Sequence, residues 1–83
     1  MTDKETIIAD LREFLLDEII RDPDYDLDAD EPLISSGLVD SFSLVDVAMW
    51  IEGTYGVTID NADLNADRFD TLMAFAEYIQ ENE

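Results

Sequence analysis

The sequence predicts an all-α fold: a small four-helix bundle of three main helices plus one short helix, with a long first loop. Two stretches near the ends of the chain carry apolar residues at steps of three and four, the spacing of one helical face. A third stretch, mid-chain, is apolar around most of a helical circumference, as befits a helix that touches neighbours on several sides. Between the first and the mid-chain stretch, both prolines and six acids gather at residues 22–32 and interrupt any helix there.

The first helix is expected at about residues 3–20. Thr2-Asp3-Lys4-Glu5 has capping-box spacing, a hydroxyl followed three residues later by a glutamate. Ile7, Ile8, Leu11, Phe14, Leu15 and Ile19 form the apolar face, with Asp10, Glu13 and Asp17 opposite. The loop that follows is expected to bury Leu27 and Leu33. Its alternating aspartates invite comparison with a calcium loop, which needs glycine at position six and glutamate at position twelve. Started at Asp22, Asp24 or Asp26, those positions hold Leu27 and Leu33, Ala29 and Ser35, or Glu31 and Gly37. Every register fails, so a solvated acidic loop without a metal site is expected.

The central helix is expected at about residues 41–53, after a turn at Gly37, and Gly53 and Gly56 bracket its end. Val57-Thr58-Ile59 reads as an extended connector, followed by a short helical turn near residues 61–66. Asp70 has the position of an N-cap for a last helix at about residues 71–81, where Leu72, Phe75, Ala76 and Ile79 share a face. The tail Glu81-Asn82-Glu83 is expected to fray. There is no repeat and no second core, so residues 1–83 read as a single domain.

Composition excludes several functions. The 83 residues include 22 acidic and four basic side chains and no histidine, for a net charge of -18. Phosphate binding needs basic residues, and only Lys4, Arg12, Arg21 and Arg68 are present, so neither nucleic acid nor an anionic membrane is an expected partner. Without cysteine there is no disulfide, thiolate metal site or thiol nucleophile. Without histidine there is no Ser-His-Asp triad. MTDKETIIADL is not a basic segment followed by an apolar one, so no signal peptide is expected. No run reaches the roughly 20 apolar residues of a membrane helix. A cytoplasmic location follows as the default. The grouped apolar residues, 47% of the chain, point to a folded domain rather than a disordered acidic segment. Charge this high favours a monomer.

The segment with chemical interest is Gly37-Leu38-Val39-Asp40-Ser41-Phe42-Ser43-Leu44. It sets Ser41 at the expected first turn of the central helix, directly after Asp40. Helix-start amides lack internal partners and carry partial positive charge, which suits a phosphate ester on the serine oxygen. The simpler reading is that Asp40 or Ser41 is a helix cap. Ser41 has no base to make it a nucleophile, so any group it carries must be installed by another enzyme.

Asp40-Ser41-Phe42, followed by Leu44-Val45 and the acidic helix Asp46 to Glu52, resembles the prosthetic-group site of acyl carrier proteins, whose signature is Asp-Ser-apolar with a valine or isoleucine three positions on. The likeness extends upstream through Leu33 to Val39 and downstream through Tyr55 to Ile59 and the closing helix, nearly the whole chain. The resemblance implies an acyl-carrier-like four-helix bundle with 4'-phosphopantetheine on Ser41, flanked by Asp40. A phosphopantetheinyl transferase would move the group from coenzyme A, using magnesium. Its thiol would carry an acyl or aminoacyl group as a thioester, supplying the thiol that the chain lacks.

Such a protein is a carrier and not an enzyme. The resemblance implies an acyl- or aminoacyl-loading ligase and a downstream acyltransferase or synthase as further partners, in fatty-acid, polyketide or other specialised biosynthesis. Phe42, Val45, Asp46, Met49 and Glu52 are the expected partner-binding residues, with Phe42 meeting the transferase. Val45, Met49, Ile59, Leu64 and Phe69 are expected to wall an acyl cleft or to serve as ordinary core. Ser43 stands where fatty-acid carriers commonly have an acid, Leu44 where a small polar residue is frequent, and Trp50 where a smaller side chain is usual. These departures point to a stand-alone carrier of a specialised pathway. The alternative is a small acidic interaction module without a cofactor, binding a basic partner through the central helix.

Overall fold

A computed structural model describes residues 2–65 and 67–83. It contains three α-helices, α1 (Lys4–Phe14), α2 (Ser43–Tyr55) and α3 (Leu72–Asn82), and no strand among the described residues. The expected fourth helix is a single 3-10 turn at Asn61–Asp63. Local polar groups stop it there. Asp60 accepts from the Ala62 and Asp63 amides through its carboxylate and carbonyl, at 3.2 and 2.9 Å. The Asn65 amide then bonds Asp63 two residues back, which no helix allows. Ala66, the end of the expected turn, lies outside the described residues.

The first helix extends to Ile19 as expected, but its last five residues, Leu15–Ile19, form a π-helical turn. The Ile20 amide reaches the Leu15 carbonyl at 2.7 Å, and the Asp22 amide reaches Leu16 at 2.9 Å. Arg21 ends the segment in the left-handed region, φ 60°, where a glycine is usual. The capping box does not form. Asp3 takes the N-cap position without a side-chain bond. Thr2 turns to the other terminus instead: its amide and hydroxyl both donate to the Glu83 carboxylate at 3.0 Å. Gln80 donates to the Thr2 carbonyl at 3.1 Å, so the tail expected to fray is tied to the start of α1.

α2 starts two residues later than expected and runs through Gly53. Gly56 (φ 71°, ψ 18°) ends it, with its amide on the Glu52 carbonyl. The N-cap of α3 is Thr71, not Asp70: the Thr71 hydroxyl accepts from the Ala74 amide at 3.0 Å. Asp70 is engaged elsewhere, as described below.

The core lies where the three apolar faces meet. α1 gives Ile7, Ile8 and Leu11, and the π-helical turn gives Leu15; α2 gives Leu44, Val47 and Ile51; α3 gives Leu72, Phe75, Ala76 and Ile79. α1 and α3 pack against each other. The connecting segments close the core with Leu27, Leu33, Val39, Val57, Ile59 and Phe69. Leu27 and Leu33 are thus buried as expected. The long acidic loop is pinned on both sides: Arg12 donates to the Leu27 carbonyl at 2.8 Å, and the Met73 amide donates to Ala29 at 3.0 Å. Within it, the Tyr25 hydroxyl donates to the Glu31 carboxylate, and that bond raises the tyrosine's pKa above its ordinary value.

Candidate functional site

Ser41 lies in a turn just ahead of α2, exposed together with Asp40. Asp40 organises the turn. Its carboxylate accepts from the Phe42 amide at 3.2 Å, its carbonyl accepts from Ser43 at 2.9 Å, and the Ser41 carbonyl accepts from Leu44 at 3.3 Å. Ser41 is therefore outside the helix rather than in its first turn. The amides expected to receive a phosphate are also occupied, by Asp40 and Ser41 themselves.

The approach to Ser41 is held from behind. Leu33 and Val39 are buried, and the Val39 amide returns to the Leu33 carbonyl at 2.8 Å. Gly37 takes φ 82°, and its amide bonds the Ile34 carbonyl at 3.0 Å, the turn the sequence implied. Asp70 clamps this loop to the start of α3. Its carboxylate accepts from the Ile34 and Ser35 amides at 2.7 and 3.0 Å and from the Ser35 hydroxyl at 2.6 Å, while its carbonyl accepts from the Leu33 amide at 2.6 Å. Desolvation alone would raise the Asp70 pKa. The bonds from Ser35, Ile34 and Leu33 win, and hold it below its ordinary value. Sequence reasoning missed this role, because an aspartate just before a helix looks like a cap. The spare hydrogen-bonding need of the Leu33–Ser35 loop was the available signal.

Of the four serines, Ser35 is bonded to Asp70, and Ser36 donates to the Pro32 carbonyl at 2.6 Å. Ser43 is half-buried at the start of α2. Ser41 is exposed, and among the described residues its hydroxyl has no hydrogen-bond partner. A covalently attached group needs an accessible hydroxyl, and Ser41 is exposed.

One face of α2 extends from this turn. Phe42, Val45 and Met49 are 84%, 52% and 66% exposed, large values for apolar side chains in a chain that otherwise buries its apolar residues well. Asp46 and Glu52 are exposed on the same helix. The five residues expected to face partners are all exposed, Phe42 just ahead of α2 and the other four on it. As walls of an acyl cleft, the expected residues separate: Val45 and Met49 face outward, Ile59 and Phe69 are core, and Leu64 is partly buried. Trp50 is half-buried, stacked on Phe14 of α1 with ring centroids 5.0 Å apart.

The family model for phosphopantetheine attachment sites matches residues 9–79, most of the chain. The chain belongs to the phosphopantetheine-attachment family. Like the other carriers of this family, it bears a covalently attached 4'-phosphopantetheine prosthetic group. Such carriers interact with phosphopantetheinyl transferases and biosynthetic enzymes. This membership supports the carrier reading over the cofactor-free alternative. No curated protein compared with the chain matches it. Among the described residues, no helix is long and apolar enough to cross a membrane.

Proposed function

We propose that Ser41 is the attachment residue and that residues 1–83 act as one carrier-protein domain. The observation that carries this reading is the exposed Ser41 hydroxyl, without a hydrogen-bond partner among the described residues, inside the matched family segment. Once attached, the group supplies a thiol that holds an acyl or aminoacyl cargo as a thioester. The chain's own residues do the presenting. Asp40 shapes the turn, Leu33, Val39 and Asp70 hold it, and Phe42, Val45, Asp46, Met49 and Glu52 offer the surface that partners grip. The apolar three supply contact area, and the acids steer basic partners to a fast, reversible encounter.

The partners are a phosphopantetheinyl transferase, a loading ligase for acyl or aminoacyl groups, and a downstream acyltransferase or synthase. The protein performs no catalysis of its own and acts as a cytoplasmic monomer. Ser43, Leu44 and Trp50 favour a specialised pathway, lipid, polyketide or aminoacyl, over general fatty-acid synthesis. Ser43 in place of an acid and Leu44 in place of a small polar residue make α2 less acidic and more apolar than the helix that fatty-acid carriers commonly have.

The test is the intact mass of the purified chain after incubation with coenzyme A, magnesium and a promiscuous phosphopantetheinyl transferase, with Ser41→Ala in parallel. A gain of one phosphopantetheine, absent in the variant, is expected. A gain that persists in Ser41→Ala moves the attachment to another residue. No gain in a folded sample with several transferases overturns the carrier reading.

A further inference from the structure

A second surface lies around the corner from the α2 face. Trp50 follows Met49 by one residue, about 100° round the helix, and turns toward α1. Together with Phe14 it lines a shallow, open cleft of about 280 Å³, whose other lining residues are Asp10, Glu13, Asp17 and Glu18. All four acids are exposed. The Trp50 indole stacks on Phe14 and meets Tyr55 edge-on at 5.8 Å. The Tyr55 hydroxyl donates to Asp10 at 2.9 Å and so holds that acid at the cleft. Asp17 and Glu18 are presented by the π-helical turn, which widens the backbone beside the cleft.

The rest of the molecule shows what completes such an arrangement. The other stacked aromatic cluster, Phe69 with Phe75 and Tyr78, has its own cation: the Arg68 guanidinium lies 5.8 Å from the Phe69 ring centre and 5.4 Å from that of Tyr78. The Phe14–Trp50 pair carries far more negative charge around it, yet among the described residues no cation stands over its rings. The acids are not gathered for a metal either, since no group of three or more among the described residues could hold one. A planar organic cation meets both requirements, with a face for the rings and N–H groups for the carboxylates. Arginine is the protein side chain with that chemistry.

We infer that the α1–α2 cleft is a docking site for an arginine side chain on the surface of a protein partner, separate from the Ser41 face and independent of the attachment there. It gives a basic partner a second point of contact and fixes its rotation about α2. Affinity from the whole-molecule field alone would be shared by any cation and any acidic patch. Affinity from the cleft belongs to guanidinium and to these residues.

Trp50 is the single tryptophan, so its emission reports on this cleft alone. The experiment titrates the full chain, at low ionic strength, with a short acetylated Arg-Gly peptide carrying three arginines, and follows Trp50 fluorescence. A lysine peptide of equal charge is compared. Two charge-matched variants are compared as well: Glu13→Gln with Asp17→Asn and Glu18→Gln at the cleft, and Asp24→Asn with Asp26→Asn and Asp30→Asn in the acidic loop. Circular dichroism confirms that each variant is folded. The expected result is a saturable change in Trp50 emission that is at least about threefold weaker for the lysine peptide. The cleft variant should weaken binding about tenfold, and the loop variant less than about twofold. Equal weakening in both variants overturns the inference, because it assigns binding to net charge. An absent change in Trp50 emission, with or without binding detected by calorimetry, overturns it too.

Discussion

Ser41 and Asp70 carry opposite expectations although both sit beside a helix start. The Ser41 hydroxyl has no partner among the described residues, so Ser41→Ala should change stability by no more than about 0.5 kcal/mol while abolishing loading. A capping hydroxyl would instead cost about 0.5–2 kcal/mol when removed. Urea unfolding of the variant separates the two roles, and a loss near the upper figure would restore the cap. Asp70 has three side-chain bonds to the Ile34–Ser35 segment, so Asp70→Asn should loosen the approach to Ser41 and cost about 1–3 kcal/mol. Its sign with pH follows from the bonds. The folded chain binds the Asp70 proton more weakly than the unfolded chain, where the ordinary value is 3.8. The stability it confers is therefore present in full above that value and is lost as pH falls through the lower folded one. Thermal melts from neutral pH to pH 2 should show the gap between wild type and Asp70→Asn closing only below about pH 4. A gap that stays constant down to pH 2 would mean that the charge on Asp70 contributes nothing.

At the scale of elements, α2 offers the sharpest contrast, because neighbouring residues on it face opposite ways. Leu44 is 1% exposed and Val45 52%. Leu44→Ala should cost about 2–5 kcal/mol by opening a cavity in the core. Val45→Ala should cost less than about 0.5 kcal/mol, yet slow modification by the transferase. If Val45→Ala were as destabilising as Leu44→Ala, this face of α2 would belong to the core and not to partners. The steps of three and four made α1 and α3 legible, since each buries one apolar stripe, while α2 was legible from its dense apolar run. The Asp40-Ser41-Phe42 motif was legible too, because its residues are adjacent. What escaped were the ends of elements. Thr2 and Asp70 each have the side chain and position of a local cap, but their partners lie 81 and 35–36 residues away. Spacing along a chain does not reveal such contacts. The π-helical turn escaped for a related reason: a 3.6 period continues through Leu15–Ile19 with little change, and only the backbone records the extra residue. Trp50 looked like an oversized departure from a family pattern until its ring met Phe14, from another helix.

The whole molecule holds a charge of -18 in a body of about 29 × 26 × 20 Å. Its radius of gyration, 11.5 Å, is that of a compact chain of this length, for which about 12 Å is expected. The apolar core therefore outweighs the repulsion, but the repulsion remains. At 10 mM salt the screening length is roughly 30 Å, so every carboxylate on the molecule interacts with every other. At 1 M it is roughly 3 Å, and only immediate neighbours interact. Unfolding moves the charges apart, so it relieves more repulsion at low salt than at high salt. The folded state should gain accordingly, and the melting temperature should rise continuously with sodium chloride from 10 mM to 1 M. A relief of one or two kcal/mol corresponds to about 5–15 °C for a domain of this size. Magnesium chloride should reach the same melting temperature at lower concentration, because a divalent ion screens more strongly. Melts in urea and in guanidinium chloride provide an independent check, since only the second denaturant is a salt. Guanidinium should appear the weaker denaturant of the two at its lowest concentrations, where screening offsets its solvation of the chain. A melting temperature independent of sodium chloride would mean that the carboxylates are as crowded in the unfolded chain as in the folded one. The acidity would then act on partners alone and not on stability.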